Sequence, residues 1–197
     1  MKKIQSILAI CVVFIITACS TTSAPTQRDI SFSKYPKINV AVANIEVIEN
    51  YKSPQKAPNV EHLMPRSPSD AMQIWVHDRL RATSSDKLLQ ININDASVIS
   101  TNLPRTKGIT GLFTVDQEKR YDARLEIEMK LYGDSSLSEA NTSVTVTRSI
   151  TIPENATVNS RHVAYEKMLA DLMKDLNDKL EQNIQNYFRN YISIATK

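Results

Sequence analysis

The sequence predicts an α+β fold, a mixed four-stranded sheet with two helices packed on one face, and three observations carry that prediction. Over 121–132 the residues alternate without a fault. Tyr121, Ala123, Leu125, Ile127, Met129 and Leu131 share one face, and Asp122, Arg124, Glu126, Glu128 and Lys130 share the other, the pattern of an antiparallel strand buried on one side. Over 160–191 the apolar stripe Tyr165, Leu169, Leu172, Leu176, Leu180, Ile184, Tyr187 and Tyr191 advances in steps of four and three, which makes an amphipathic helix. Further strand patterns lie near 37–49, 88–101 and 142–152, and a helix near 68–83 separates the first two. That order allows a right-handed parallel crossover followed by a hairpin.

In the first strand Ile38, Val40 and Val42 alternate on one parity and Ile45 and Val47 on the other. Such a slip is either a β-bulge or the mark of a strand covered on both faces. Residues 50–65 hold Pro54, Pro58 and Pro65 and form a long connection, functional or simply solvated. Ser67 as N-cap, Pro68 at the first helical position and Asp70 in the first turn start the helix near 68–83. Its apolar face carries Ala71, Met72, Trp75, Val76 and Leu80, so Trp75 belongs to the core rather than to a ligand platform.

The strand over 88–101 slips in the same way, with Asn94-Asp95 at the bulge. Residues 102–120, with Pro104, Gly108 and Gly111, carry Leu112 and Phe113 among polar neighbours. Phe113 is a candidate loop contact, in a lid or a partner-contact finger, or else it folds back onto the core. The strand over 142–152 pairs with 121–132 and stops at Pro153, and Asn159 or Ser160 caps the last helix. Because that helix outreaches a four-stranded sheet, its aromatic end, Tyr187, Phe188 and Tyr191, is the candidate partner contact.

No catalytic or metal-binding constellation is legible. His62, His77 and His162 are far apart, no serine is framed by glycines, and Gly108, Gly111 and Gly133 are too scattered for a phosphate-cradling loop. Glu126 and Glu128 share a strand face as an acid and base pair would, yet Arg124 and Lys130 flank them, the arrangement of a salt-linked solvated face. The expectation is a non-enzyme with no cofactor.

Residues 1–19 decide where the chain works. Lys2 and Lys3 precede a ten-residue apolar run from Ile7 to Ile16, half the length of about twenty that spans a bilayer as a helix. Ile16-Thr17-Ala18-Cys19 resembles the lipobox of bacterial lipoproteins. That resemblance implies cleavage between Ala18 and Cys19, a diacylglycerol on the Cys19 sulfur as the sole covalent addition, and anchorage facing the periplasm. Ser20, rather than aspartate, favours the outer membrane over the inner under the sorting rule of enteric bacteria.

With 1–18 removed, 179 residues remain, 22 of them basic and 21 acidic, so nothing marks a nucleic-acid partner. Cys11 leaves with the signal and Cys19 is alkylated, which excludes an internal disulfide. Residues 19–36 are expected to form a flexible tether and 37–197 a single domain.

The order of anchor, tether, strand, helix, strand, hairpin and long helix looks like the auxiliary lipoproteins of ABC-type and MCE-type intermembrane lipid transport systems, over roughly 37–191 and in architecture only. Pro58-Asn59-Val60-Glu61-His62-Leu63 and Asp95-Ala96-Ser97-Val98 also look like segments of small uncharacterised bacterial lipoproteins. The likeness implies an accessory or adaptor role beside envelope transport subunits. A stand-alone lipid or small-ligand binder is the alternative, and a tethered hydrolase stands behind both. Partner, substrate and oligomeric state are not written in the sequence.

Overall fold

The computed structural model describes residues 30–103 and 118–194, and these form an α+β fold. It has two sheets rather than one of four strands. The larger contains β2 (Asn44–Glu49), β4 (Leu88–Asp95), β5 (Val98–Asn102), β6 (Glu118–Tyr132) and β7 (Ser138–Pro153). The smaller is ordered β3 (Leu80–Ala82), β1 (Ile38–Val40), β8 (Ile192–Ile194). The helices are α1 (Pro68–Arg79) and α2 (Val158–Tyr187).

Each departure from the expected sheet has a local cause. The parity slip in 37–49 is neither a bulge nor a doubly covered strand: the chain leaves one sheet and enters the other. Val42, fully buried, sits at the crossing, where the Ala43 amide turns to the carbonyls of Asp86 and Lys87. The slip at Asn94-Asp95 is the expected bulge. β4 pairs β6 from Leu88↔Tyr132 to Ile93↔Ile127, then resumes one residue out of step at Asp95↔Glu126, and β5 continues along the same side of β6. What reads as one strand over 88–101 is therefore two, broken at Ala96 and Ser97.

The helix boundaries move for the same kind of reason. Ser67 caps the helix as expected, and Asp70 completes a capping box with it: the Ser67 hydroxyl accepts from the Asp70 amide at 3.1 Å, and Asp70 accepts from the Ser67 amide at 3.1 Å. The other end stops at Arg79 instead of residue 83, because Leu80–Ala82 pairs in parallel with Ile38–Val40. α2 is capped by Thr157, not Asn159 or Ser160, and ends at Tyr187. Its last expected turn becomes a 3-10 turn, Arg189–Tyr191, and Ile192–Ile194 pairs antiparallel with β1.

β2 and β4 are parallel, as a crossover through α1 requires, and β6 and β7 form the long antiparallel hairpin. α2 lies over β7 and β6 with Tyr165, Leu169, Leu172, Leu176, Leu180 and Ile184 buried against the inward residues of β6, and α1 packs beside it. Among the described residues β7 is an open edge, and α2 blunts part of it: Lys179 donates to the Thr145 carbonyl at 3.2 Å and Asn183 to the Thr142 hydroxyl at 2.9 Å.

Candidate functional site

The most elaborately built part of the molecule is where the N-terminal chain joins it. Residues 30–36, expected to belong to the tether, lie on the domain as a strap. Ile30 and Phe32 are apolar side chains separated by one serine, and both are buried in the main core. Asp78, on the last turn of α1, accepts from the Phe32 amide at 2.7 Å and from the Ser31 hydroxyl at 3.1 Å. Burial pushes the Asp78 carboxyl up, but these bonds and the adjacent His77 outweigh it and hold its pKa below the ordinary value.

Arg79, the next residue, is fully buried and joins four partners. Its Nε donates to Asn177 Oδ1 at 3.1 Å, one terminal nitrogen donates to the Pro36 carbonyl, and the other meets Glu181 at 2.7 Å. The guanidinium also stands 5.2 Å from the Tyr35 ring centroid, a cation–π distance. Asn177 Oδ1 accepts a second bond, from the Trp75 indole at 3.0 Å. Strap, α1 and α2 thus share one buried polar network. The helical period places Trp75 and Arg79 four residues apart on the face of α1 that Met72 also occupies, and Asn177 falls within the apolar stripe of α2. A polar residue inside each apolar stripe was the available signal that the two meet.

Between the strap and α2 runs an open groove of about 180 Å³ lined by Ile30, Phe32, Tyr35, Ala170 and the stems of Lys34 and Lys174. That is smaller than the roughly 300 Å³ at which small-molecule sites begin. Beside it Ile30 closes a crevice with Met64, Tyr165 and Leu169.

The 50–65 connection is held by a second buried charge. Glu61 accepts from the Ser53 hydroxyl at 2.6 Å, the Tyr51 hydroxyl at 2.7 Å and the Val98 amide at 3.1 Å. This draws the 58–61 stretch onto β5: Val60 donates to Val98, Ser100 donates to Pro58, and Asn59 bridges Ile99. Burial raises the Glu61 pKa, while the bonds from Ser53, Tyr51 and two backbone amides lower it further, and the net shift is downward. A carboxylate so fully donated to is a structural acceptor rather than a free base.

The sign for stability follows from that shift. Because the folded pKa lies below the unfolded one, Glu61 stabilises the fold at pH above the unfolded value, and that contribution is lost as pH falls through the folded value. Glu61→Gln sets an amide donor against the Val98 amide or a hydroxyl and is expected to cost about 2 kcal/mol at neutral pH. Urea unfolding from pH 7 to 3 should show a shallower acid slope for the variant than for the natural chain; equal slopes would remove Glu61 from the account.

The residues singled out in the sequence divide into three groups. Ala18, Cys19 and Phe113 lie outside the described residues. Of the aromatic end, Tyr187 is 60% exposed, but Phe188 is 1% exposed and Tyr191 packs partly buried against the core. Of the three candidates only Tyr187 stands well exposed: when the helix stops at Tyr187 the chain folds back to reach β1 and carries Phe188 inward. Glu126 and Glu128 are ion-paired, to Arg124 at 2.5 Å and to Lys130 at 2.9 Å, so they form the salt-linked face that the flanking charges foretold.

Among the described residues no cluster of histidine, cysteine and carboxylate side chains has the makings of a metal site, and no helix is long and apolar enough to cross a membrane. No protein-family model matches the chain, and no curated protein matches its sequence. Among solved structures it is similar to a minor lipoprotein from Acinetobacter baumannii, at 12% identity and a TM-score of 0.37, over 80% of this chain and 99% of that one. It is also similar to a DUF330 protein from Xanthomonas campestris, at 15% identity and a TM-score of 0.33, over 77% of this chain and 89% of that one. Scores this low do not establish a shared fold.

Proposed function

We propose that this chain is a lipid-anchored lipoprotein of the bacterial envelope, facing the periplasm, that serves as a non-enzymatic accessory subunit of an envelope transport complex, with lipid traffic the process its element order suggests. The observation that supports it best is the strap. The segment leading from the lipobox cysteine is tied to both helices through Asp78 and Arg79, so an anchor at Cys19 would hold the domain itself rather than a loosely hung module.

Such an anchor leaves the opposite end of the domain for a partner. Asn183 bonds Thr142, so one further turn of α2 sets Tyr187 level with Ala140, close to the hairpin tip that carries Leu137 at 76% exposure. These two side chains replace the aromatic trio as the proposed contact. Membranes should be solubilised gently, the chain recovered through a tag after Lys197, and the bound proteins identified by mass spectrometry. Transport subunits are expected with the natural chain and are expected to be lost with Tyr187→Glu or Leu137→Glu while the fold persists. Recovery of the chain alone, with a lipid bound in it, would instead favour the stand-alone binder.

A further inference from the structure

We infer that the end of the domain from which the strap leaves, marked by Leu63, Val158 and Val163, rests on the lipid surface that holds the anchor. The inference builds on the proposed lipidation of Cys19.

Three observations converge on that end. Ile30, the first described residue, lines one crevice with Met64 and Tyr165, so the chain running back towards Cys19 leaves the described part there. Only eleven residue steps separate Ile30 from Cys19, at most about 40 Å at full extension. The domain is therefore confined to within about its own length of the bilayer, with this end attached. Six large apolar side chains are exposed among the described residues, and three of them belong to segments at this end: Leu63, next to Met64, at 60%, and Val158 and Val163, in the first two turns of α2, at 71% and 43%.

Their placement follows from the helix and the loop. Leu63 precedes Met64, which lines the same crevice as Ile30. Val163 lies two turns before Ala170 on one stripe of α2, and Ala170 faces the strap across the groove. Val158, the first residue of α2, lies seven residues before Tyr165 and so on the Tyr165 side of the helix, at its outer end. Tyr187 and Leu137 lie at the other end, α2 running about 33 Å between Tyr165 and Tyr187.

Aliphatic side chains that stand in water at the attachment point are suited to the acyl boundary of a bilayer, where burying them is favourable and non-directional. The occupant inferred is the bilayer surface, without regard to headgroup charge.

The mature chain offers a clean test, because its cysteine, Cys19, would be alkylated and a new thiol would be the one reactive site. Leu63→Cys, Val158→Cys, Val163→Cys and, as a far-end control, Leu137→Cys would be labelled with an environment-sensitive fluorophore in the full lipidated protein. Each would be reconstituted in phosphatidylcholine vesicles containing brominated acyl chains, and the mass of the N-terminal peptide would report the lipid on Cys19. The expected result is a blue-shifted emission and severalfold stronger quenching at 63, 158 and 163 than at 137. With lipid present on Cys19, quenching no stronger at those three positions than at 137 overturns the inferred orientation and leaves lipidation standing. An N-terminal peptide without lipid overturns both.

Discussion

Arg79→Ala is expected to destabilise the fold by about 3 to 5 kcal/mol, the range for breaking a buried charged pair by removing one partner. The truncation leaves the Pro36 carbonyl and one acceptor site of Asn177 without their donor inside the protein, and it opens a void beneath the Tyr35 ring. Glu181 is the smaller part of the loss, since its side chain is about a third exposed and regains water. Arg79→Lys keeps the charge but cannot present a planar fork to three acceptors, and it should recover only part of the stability. Chemical unfolding measures the total. Limited proteolysis after Lys34 separates the mechanism from simple loss of a core side chain: if the network ties the strap, cleavage there should accelerate well before global unfolding. A strap that remains resistant in Arg79→Ala would show that Ile30, Phe32 and Asp78 suffice to hold it.

Cys19→Ser should move the protein from the membrane to the soluble fraction almost completely. A hydroxyl in place of the sulfur cannot form the thioether to a diacylglycerol, so both acyl chains are lost together. Each buried methylene contributes about 0.8 kcal/mol, and a single chain gives only reversible binding while two hold firmly. The apolar side chains at Leu63, Val158 and Val163 are too few to replace them. Fractionation and incorporation of labelled palmitate read the result, and a Cys19→Ser protein that stays with the membrane would set the lipobox reading aside.

How far the sequence could be read depended on whether the deciding interactions were local. The alternation over 121–132 and the stripe from Tyr165 to Ile184 are internal to one element each, and both appear as read, as does the N-cap at Ser67, whose bond reaches three residues along the chain. The bulge at Asn94 was legible because one residue out of step must reverse every side chain after it. The same slip at Val42 was legible as a slip but not as a change of sheet, since that depends on Asp86 and Lys87, more than forty residues away, meeting the Ala43 amide.

Phe188 shows the limit at the site. Its spacing continues an aromatic cluster, and nothing nearby in sequence says that Ile192–Ile194 will pair with β1 and turn it inward. Glu61 and Arg79 read as ordinary charged residues until tertiary contacts surround each with partners from distant segments. By itself the sequence determined the fold class and the faces of the main strand and long helix, because periodicity and short motifs act along a few residues of chain. Only the tertiary structure decided where the helices stop and that residues 30–36 lie on the fold. Those outcomes rest on hydrogen bonds and burial between segments up to about a hundred residues apart, whose free energies no local pattern records.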